Sequence, residues 1–111
     1  MALPRQVTDQ LEEITEYLPC SNPDVDDSPL SEYALNYVIV LMHSLYLRRP
    51  DLPVPLIGVN LNGGVDVYWT GKVFLTIPST ADVQIKDFRT AEKVSLTSLD
   101  EVIEHVLRSM A

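Results

Sequence analysis

Apolar residues recur along this chain with two different periods. In "RQVTDQLEEITEYL", residues 5–18, Val7, Leu11, Ile14 and Leu18 stand four, three and four apart with acids between them. That spacing lines one side of a 3.6-residue helix and predicts an amphipathic helix with one buried face. Pro19 ends it, and "PCSNPDVDDSP" reads as an acidic connector punctuated by proline. Ser28 followed by Pro29 predicts the start of a second helix, with the serine as cap and the proline at the first helical position, where its missing N–H costs nothing. This helix should run to about Arg49, because Arg48 and Arg49 suit the negative end of the helix dipole and Pro50 cannot continue the turn. Leu30, Ala34, Tyr37, Val38, Leu41 and Leu45 form one apolar stripe on it, while Tyr33, Val40, Tyr46 and Leu47 lie off that stripe. A helix apolar around most of its circumference needs cover on more than one side.

After Pro50 the period changes to two. Ile57, Val59 and Leu61, then Val65, Val67 and Trp69, then Val73, Leu75 and Ile77 alternate with residues of the other face, as half-buried strands require. Three-residue loops at Asn62-Gly63-Gly64 and Thr70-Gly71-Lys72 set Leu61 against Val65 and Trp69 against Val73, so that inward residues meet inward residues. Trp69 is then a core residue, and Tyr68 and Phe74 pair on the opposite face, where Leu56 and Phe88 join them. Val83 and Ile85 carry the alternation into a fourth strand ending near Phe88. "SLDE" at 98–101 has the form of a capping box and leads into a C-terminal helix with Val102, Ile103, Val106 and Met110 apolar. The predicted fold is α+β and two-layered: two N-terminal helices, a four-stranded antiparallel meander and a C-terminal helix, with the helices on one face of the sheet. The chain of 111 residues fits a single domain. It divides into an acidic helix and connector (1–28), a central apolar helix (29–49), the meander (55–88) and the last helix (98–111).

Charge changes the picture of the surface. The net charge is −8, and eight of the sixteen acids precede residue 33, where Arg5 is the one basic residue. This argues against a nucleic-acid partner, which needs clustered Lys and Arg. The acids of the first helix, Glu12, Glu13 and Glu16 among them, form either a solvated face or a surface that meets a basic protein. Cys20 is the single cysteine, so no internal disulfide is expected, and nothing in the first residues reads as a signal peptide. Both point to a cytoplasmic setting. The longest apolar run, Tyr37 to Met42, falls far short of the roughly 20 residues that span a bilayer, so no membrane segment is expected.

Candidate chemistry is sparse. His43 and His105 are the two histidines, and neither sits in a spacing that binds zinc or a di-iron centre. "DVDDS" has Pro29 where a calcium loop needs glycine and Leu35 where it needs glutamate. Cys20 lacks a local base, His43 and Ser44 point in different directions on a helix, and "NGG" is a turn rather than a phosphate loop. No catalytic residue, metal or cofactor is expected. What remain are surfaces: Tyr33, Val40 and Leu47 on the central helix, and Tyr68 with Phe74 on the outer sheet face, where either the first helix covers them or a partner does.

"NLNGGVDVYW", "TGKVFLTIP" and "LTSLDEVIEHVL", spread over residues 55–110, resemble a loose group of small bacterial proteins, mostly of unassigned function. In that group a helical part precedes a Gly-Gly strand ending in Trp, a hairpin and a Ser-Leu-Asp-capped helix. Here Tyr68 stands where an acid commonly precedes the tryptophan. Some members look like partners of toxin-like neighbours, and the resemblance implies an antitoxin or immunity role. Two functions are therefore expected. One is a non-catalytic interaction protein that meets a protein partner, or a second copy of itself, through Tyr33, Val40, Leu47, Tyr68, Phe74, Glu12, Glu13 and Glu16. The other is a small-molecule or enzymatic domain with a pocket between the central helix and the sheet, using His43, Tyr46 or Cys20 as polar handles.

Overall fold

A computed structural model describes residues 3–16, 30–60, 63–78, 82–88 and 92–110. Three helices and five strands follow in the order α1 (Arg5–Thr15), α2 (Glu32–Arg48), β1 (Leu56–Val59), β2 (Val65–Trp69), β3 (Val73–Ile77), β4 (Val83–Asp87), β5 (Glu92–Leu96) and α3 (Leu99–Met110). The strands form one antiparallel sheet in sequence order. The expected four-stranded meander is thus a five-stranded one. β5 escapes the sequence pattern because it turns only Val94 and Leu96 inward, opposite Ile85 and Val83, and a strand at the rim of a sheet needs no more.

α1 packs on β1, α2 over β2 and β3, and α3 over β3, β4 and β5. The inward residues Val65, Val67, Trp69, Val73, Leu75, Ile77, Val83 and Ile85 are all buried, and share one core with Val7, Leu11 and Ile14 of α1. The four-and-three spacing of α1 is thereby used as written, although Leu18 and Pro19 lie outside the described residues. α2 spends Ala34, Leu35, Val38, Leu41, Met42, Leu45 and Tyr46 on this core. Tyr46 therefore belongs to the packed side and not to the leftover one. Among the described residues no helix is long and apolar enough to cross a membrane.

Ser31, not Ser28, caps α2: its Oγ accepts from the Ala34 N–H at 3.4 Å while its own N–H donates to the Gly63 carbonyl at 2.8 Å. Leu30 and Leu35, on either side of that cap, are both buried in the core, the arrangement of a hydrophobic staple. Ser28 and Pro29 lie outside the described residues. Ser98 immediately precedes α3, and its carbonyl accepts from the Val102 N–H at 3.1 Å.

The second hairpin has the expected register, Trp69 opposite Val73, closed by Lys72 N–H to the Trp69 carbonyl at 2.9 Å with Gly71 supplying a φ of 75°. The first hairpin is displaced by two residues: Val59, not Leu61, faces Val65. Asn60 explains the shift. Its backbone N–H donates to the Gly64 carbonyl, its Oδ1 accepts from the Gly64 N–H, each at 3.0 Å, and its Nδ2 reaches Asp66 Oδ1 at 3.3 Å. One asparagine thus closes the loop with both backbone and side chain, and Gly63 takes the positive φ.

Three further sets of contacts fix the edges of the core. The Pro53 carbonyl accepts from Trp69 Nε1 at 2.9 Å and from the Tyr46 hydroxyl at 2.8 Å, tying the proline-rich link between α2 and β1 to the two largest buried rings. On β1, Gln10 of α1 donates from Nε2 to the Pro55 carbonyl at 2.9 Å and accepts from the Ile57 N–H at 2.7 Å. A side-chain amide there makes the two bonds that another strand would make. On the far side of the sheet Asp87 occupies an inward position and is buried, accepting at Oδ2 from the Ser109 hydroxyl of α3 at 2.8 Å.

Candidate functional site

The residues left over from packing fall on two opposite surfaces. On the helical layer, Tyr33, Val40 and Leu47 stand seven residues apart and are 50%, 49% and 68% exposed. Seven residues is close to two helical turns, so the three share one outward line along α2. The α1 acids Glu12, Glu13 and Glu16 are exposed on the same layer. Between α1 and α2 runs an open groove of about 400 Å³ floored by Leu3, Leu11 and Ile39, with Glu12 and His43 on its rim.

Tyr37, beside this line, sits 6.1 Å from Tyr33 ring to ring. Its hydroxyl is buried and has no hydrogen-bond partner among the described residues. Burial, and secondarily the neighbouring Tyr33, push its pKa up to about 12, and burial also raises that of Tyr46. Such phenols stay neutral in the fold when the unfolded chain already ionises, near pH 10. Their contribution to stability is fully present below about pH 10 and is lost above it, for Tyr37 as pH climbs toward about 12. Denaturant titrations across this window should show falling stability, and Tyr37→Phe should make the decline shallower; an identical decline in the variant would assign it to other groups.

The second surface is the outer face of the sheet. Tyr68 and Phe74 are directly opposed there, ring centroids 5.6 Å apart, as the register of β2 and β3 implies. Phe88 joins them, 5.7 Å from Tyr68 in an edge-on contact, and Lys86 Nζ lies over the Phe88 ring at 5.2 Å. Leu56, on the same face, is exposed. The alternative in which the first helix covers this face is not realised by α1, whose buried residues belong to the core on the other side. The eight residues expected to form a partner surface are therefore divided between two layers: Tyr68 and Phe74 on one, and Tyr33, Val40, Leu47, Glu12, Glu13 and Glu16 on the other.

The polar handles of a small-molecule site diverge. Tyr46 is buried with its hydroxyl committed to Pro53, His43 is exposed on the groove rim, and Cys20 lies outside the described residues. Where α2 crosses the sheet, Val38, Leu41 and Leu45 and the facing Val67 and Leu75 are all fully buried in one cluster. Among the described residues no group of three or more His, Cys, Asp or Glu is placed to hold a metal ion. Lys86 and Lys93, which no sequence pattern marks, stand directly opposite each other on β4 and β5 and beside the aromatic pair. Seeing this pair required β5. No protein-family model matches the chain, and no curated protein or solved structure matches it.

Proposed function

We propose that this chain is a non-catalytic interaction module that presents its helical layer to a basic protein partner. One observation carries the reading: an apolar line of Tyr33, Val40 and Leu47, each about half exposed or more, on a helix whose other side is buried, with the acids of α1 in the same layer. Apolar side chains at seven-residue intervals suit an amphipathic helix laid along α2, and the carboxylates of Glu12, Glu13 and Glu16 suit lysines or arginines flanking its apolar face. A second copy would bring a further net charge of −8 to an already acidic layer, so a different, basic chain is the better occupant. An inhibitor of a toxin-like protein, the role implied by the resemblance over residues 55–110, is one form of this reading, in a cytoplasmic setting.

Val40→Glu combined with Leu47→Glu tests it. Both side chains are exposed, so the variant should fold with stability within about 0.5 kcal/mol of the parent. Wild-type protein used as bait in an extract of its source cells should retain a stoichiometric basic protein, and the double variant should lose it. The association rate of the purified pair should fall steeply as salt rises, because exposed charges are screened over roughly 10 Å at 0.1 M. A partner held equally by both baits would remove the helical layer from the interface. Sedimentation equilibrium that finds a wild-type dimer and a monomeric variant would give the surface to self-association instead.

A further inference from the structure

The outer sheet face carries a charge arrangement that packing does not explain. Reading across the strands, Leu56, Tyr68, Phe74, Lys86 and Lys93 form one continuous outward row. Two lysines directly opposed on neighbouring strands repel, and such a pair is destabilising unless an anion lies between them. Among the described residues neither forms an ion pair. The third lysine of the chain, Lys72, is exposed on the adjoining β2–β3 hairpin. All three lysines of a protein with net charge −8 are thus gathered on this face or its rim, where the outward strand positions carry one described acid, Asp66. Phe74, Thr76, Gln84, Lys86 and Lys93 line a depression of about 180 Å³ beside the row.

We propose that this face is a second docking site, for an acidic segment of a partner protein, and it goes beyond the helical-layer reading because the opposite layer and the opposite charge are used. A carboxylate of the segment sits between Lys86 and Lys93, with the Thr76 hydroxyl and Gln84 amide as further donors. An apolar side chain of the segment lies on Tyr68, Phe74 and Leu56. The row spans four interstrand steps, about 19 Å, which is the reach of roughly six extended residues and more than a small carboxylate would use. The aromatic geometry favours a peptide over a single-stranded nucleic acid. Base stacking needs open ring faces, whereas Lys86 already lies over Phe88, and Tyr68 meets Phe74 and Phe88 at interplanar angles of 57° and 65°.

The probe is a short extended peptide in which glutamate alternates with phenylalanine, titrated into the isotope-labelled 111-residue chain. Amide shifts should be confined to β2–β5, and a peptide with glutamine in place of glutamate should bind at least tenfold more weakly. Lys86→Gln with Lys93→Gln should weaken the glutamate peptide by a similar factor while leaving the melting temperature nearly unchanged, since the repulsion it removes offsets the lost contact of Lys86 with Phe88. That second readout separates lost binding from lost folding. Val40→Glu with Leu47→Glu should leave peptide binding unchanged, which separates this site from the helical one. Absence of binding to wild-type protein at millimolar peptide, equal binding by the lysine variant, or binding of a thymidine oligonucleotide in preference to the peptide would each overturn the proposal.

Discussion

Trp69→Ala will lower the unfolding free energy by about 3–5 kcal/mol, the range for truncating a buried aromatic side chain. Domains of this size have roughly 5–15 kcal/mol in all, so the variant will be partly unfolded at modest temperature. Two losses add. The indole is 2% exposed and opposite Val73, so its removal leaves a cavity where β2 and β3 meet the helices. Its Nε1 also holds the Pro53 carbonyl, and with it the link from α2 to β1. Trp69→Phe separates the two: most of the volume stays, the hydrogen bond goes, and the cost should drop to about 1–2 kcal/mol because the Tyr46 hydroxyl still serves the same carbonyl. Adding Tyr46→Phe should then cost more than the two single changes together, by about 0.5–1 kcal/mol, since each donor alone is backed by the other. Urea unfolding followed by far-UV circular dichroism measures the wild type, the three single variants and the double variant. A loss under about 1 kcal/mol for Trp69→Ala would mean that the ring is not part of the core.

Gly64→Ala is expected to cost about 2–3 kcal/mol, an unusual penalty for adding one methyl group. Gly64 is buried beside the end of β3, and a Cβ there would run into the Ile77 carbonyl oxygen and press on Asn60 Nδ2, 2.9 Å away, and the Pro78 Cα, 3.1 Å away. Two of these three are backbone and cannot turn aside, so the hairpin must open or β3 must shift. Gly58 provides the control within the same hairpin: a Cβ there meets nothing within 4 Å. Gly58→Ala should change stability by no more than about 0.5 kcal/mol, and in the stabilising direction if the unfolded chain loses freedom. Equal effects at the two glycines would show that the close approach at Gly64 is not maintained in solution.

How far the fold could be read from residue order depends on what alternation constrains. A period of two fixes which residues point inward, and Trp69, Tyr68 and Phe74 are where it puts them. It leaves register free to slide by two, because the inward set is unchanged by such a step. The Asn60 side chain decides between the alternatives at the first hairpin, and only the folded loop shows it doing so. β5 was hidden for a different reason: Val94 and Leu96 are too few to make a pattern among charged and polar neighbours. With β5 unseen, Lys93 had no place beside Lys86, and the charged end of the outer row was invisible even though its aromatic part was plain. On α2 the apolar excess was legible but its division was not. Tyr46 went to the core because Pro53 offers its hydroxyl an acceptor, while Val40 and Leu47 stayed outside.

The amide of Gln10 gives the sheet a polarity that its five strands alone would lack. With the Pro55 carbonyl and the Ile57 N–H already engaged by a side chain of the same molecule, a strand adding to β1 would have to displace Gln10, so recruitment would be favoured at the other rim, β5, which carries Lys93. Two chains meeting there would each present an occupied rim outward, so the assembly would terminate at a pair instead of extending into a fibril. A single glutamine in the first helix would thus oppose sheet growth from β1, and its loss would matter more at high protein concentration than in any dilute measurement of stability.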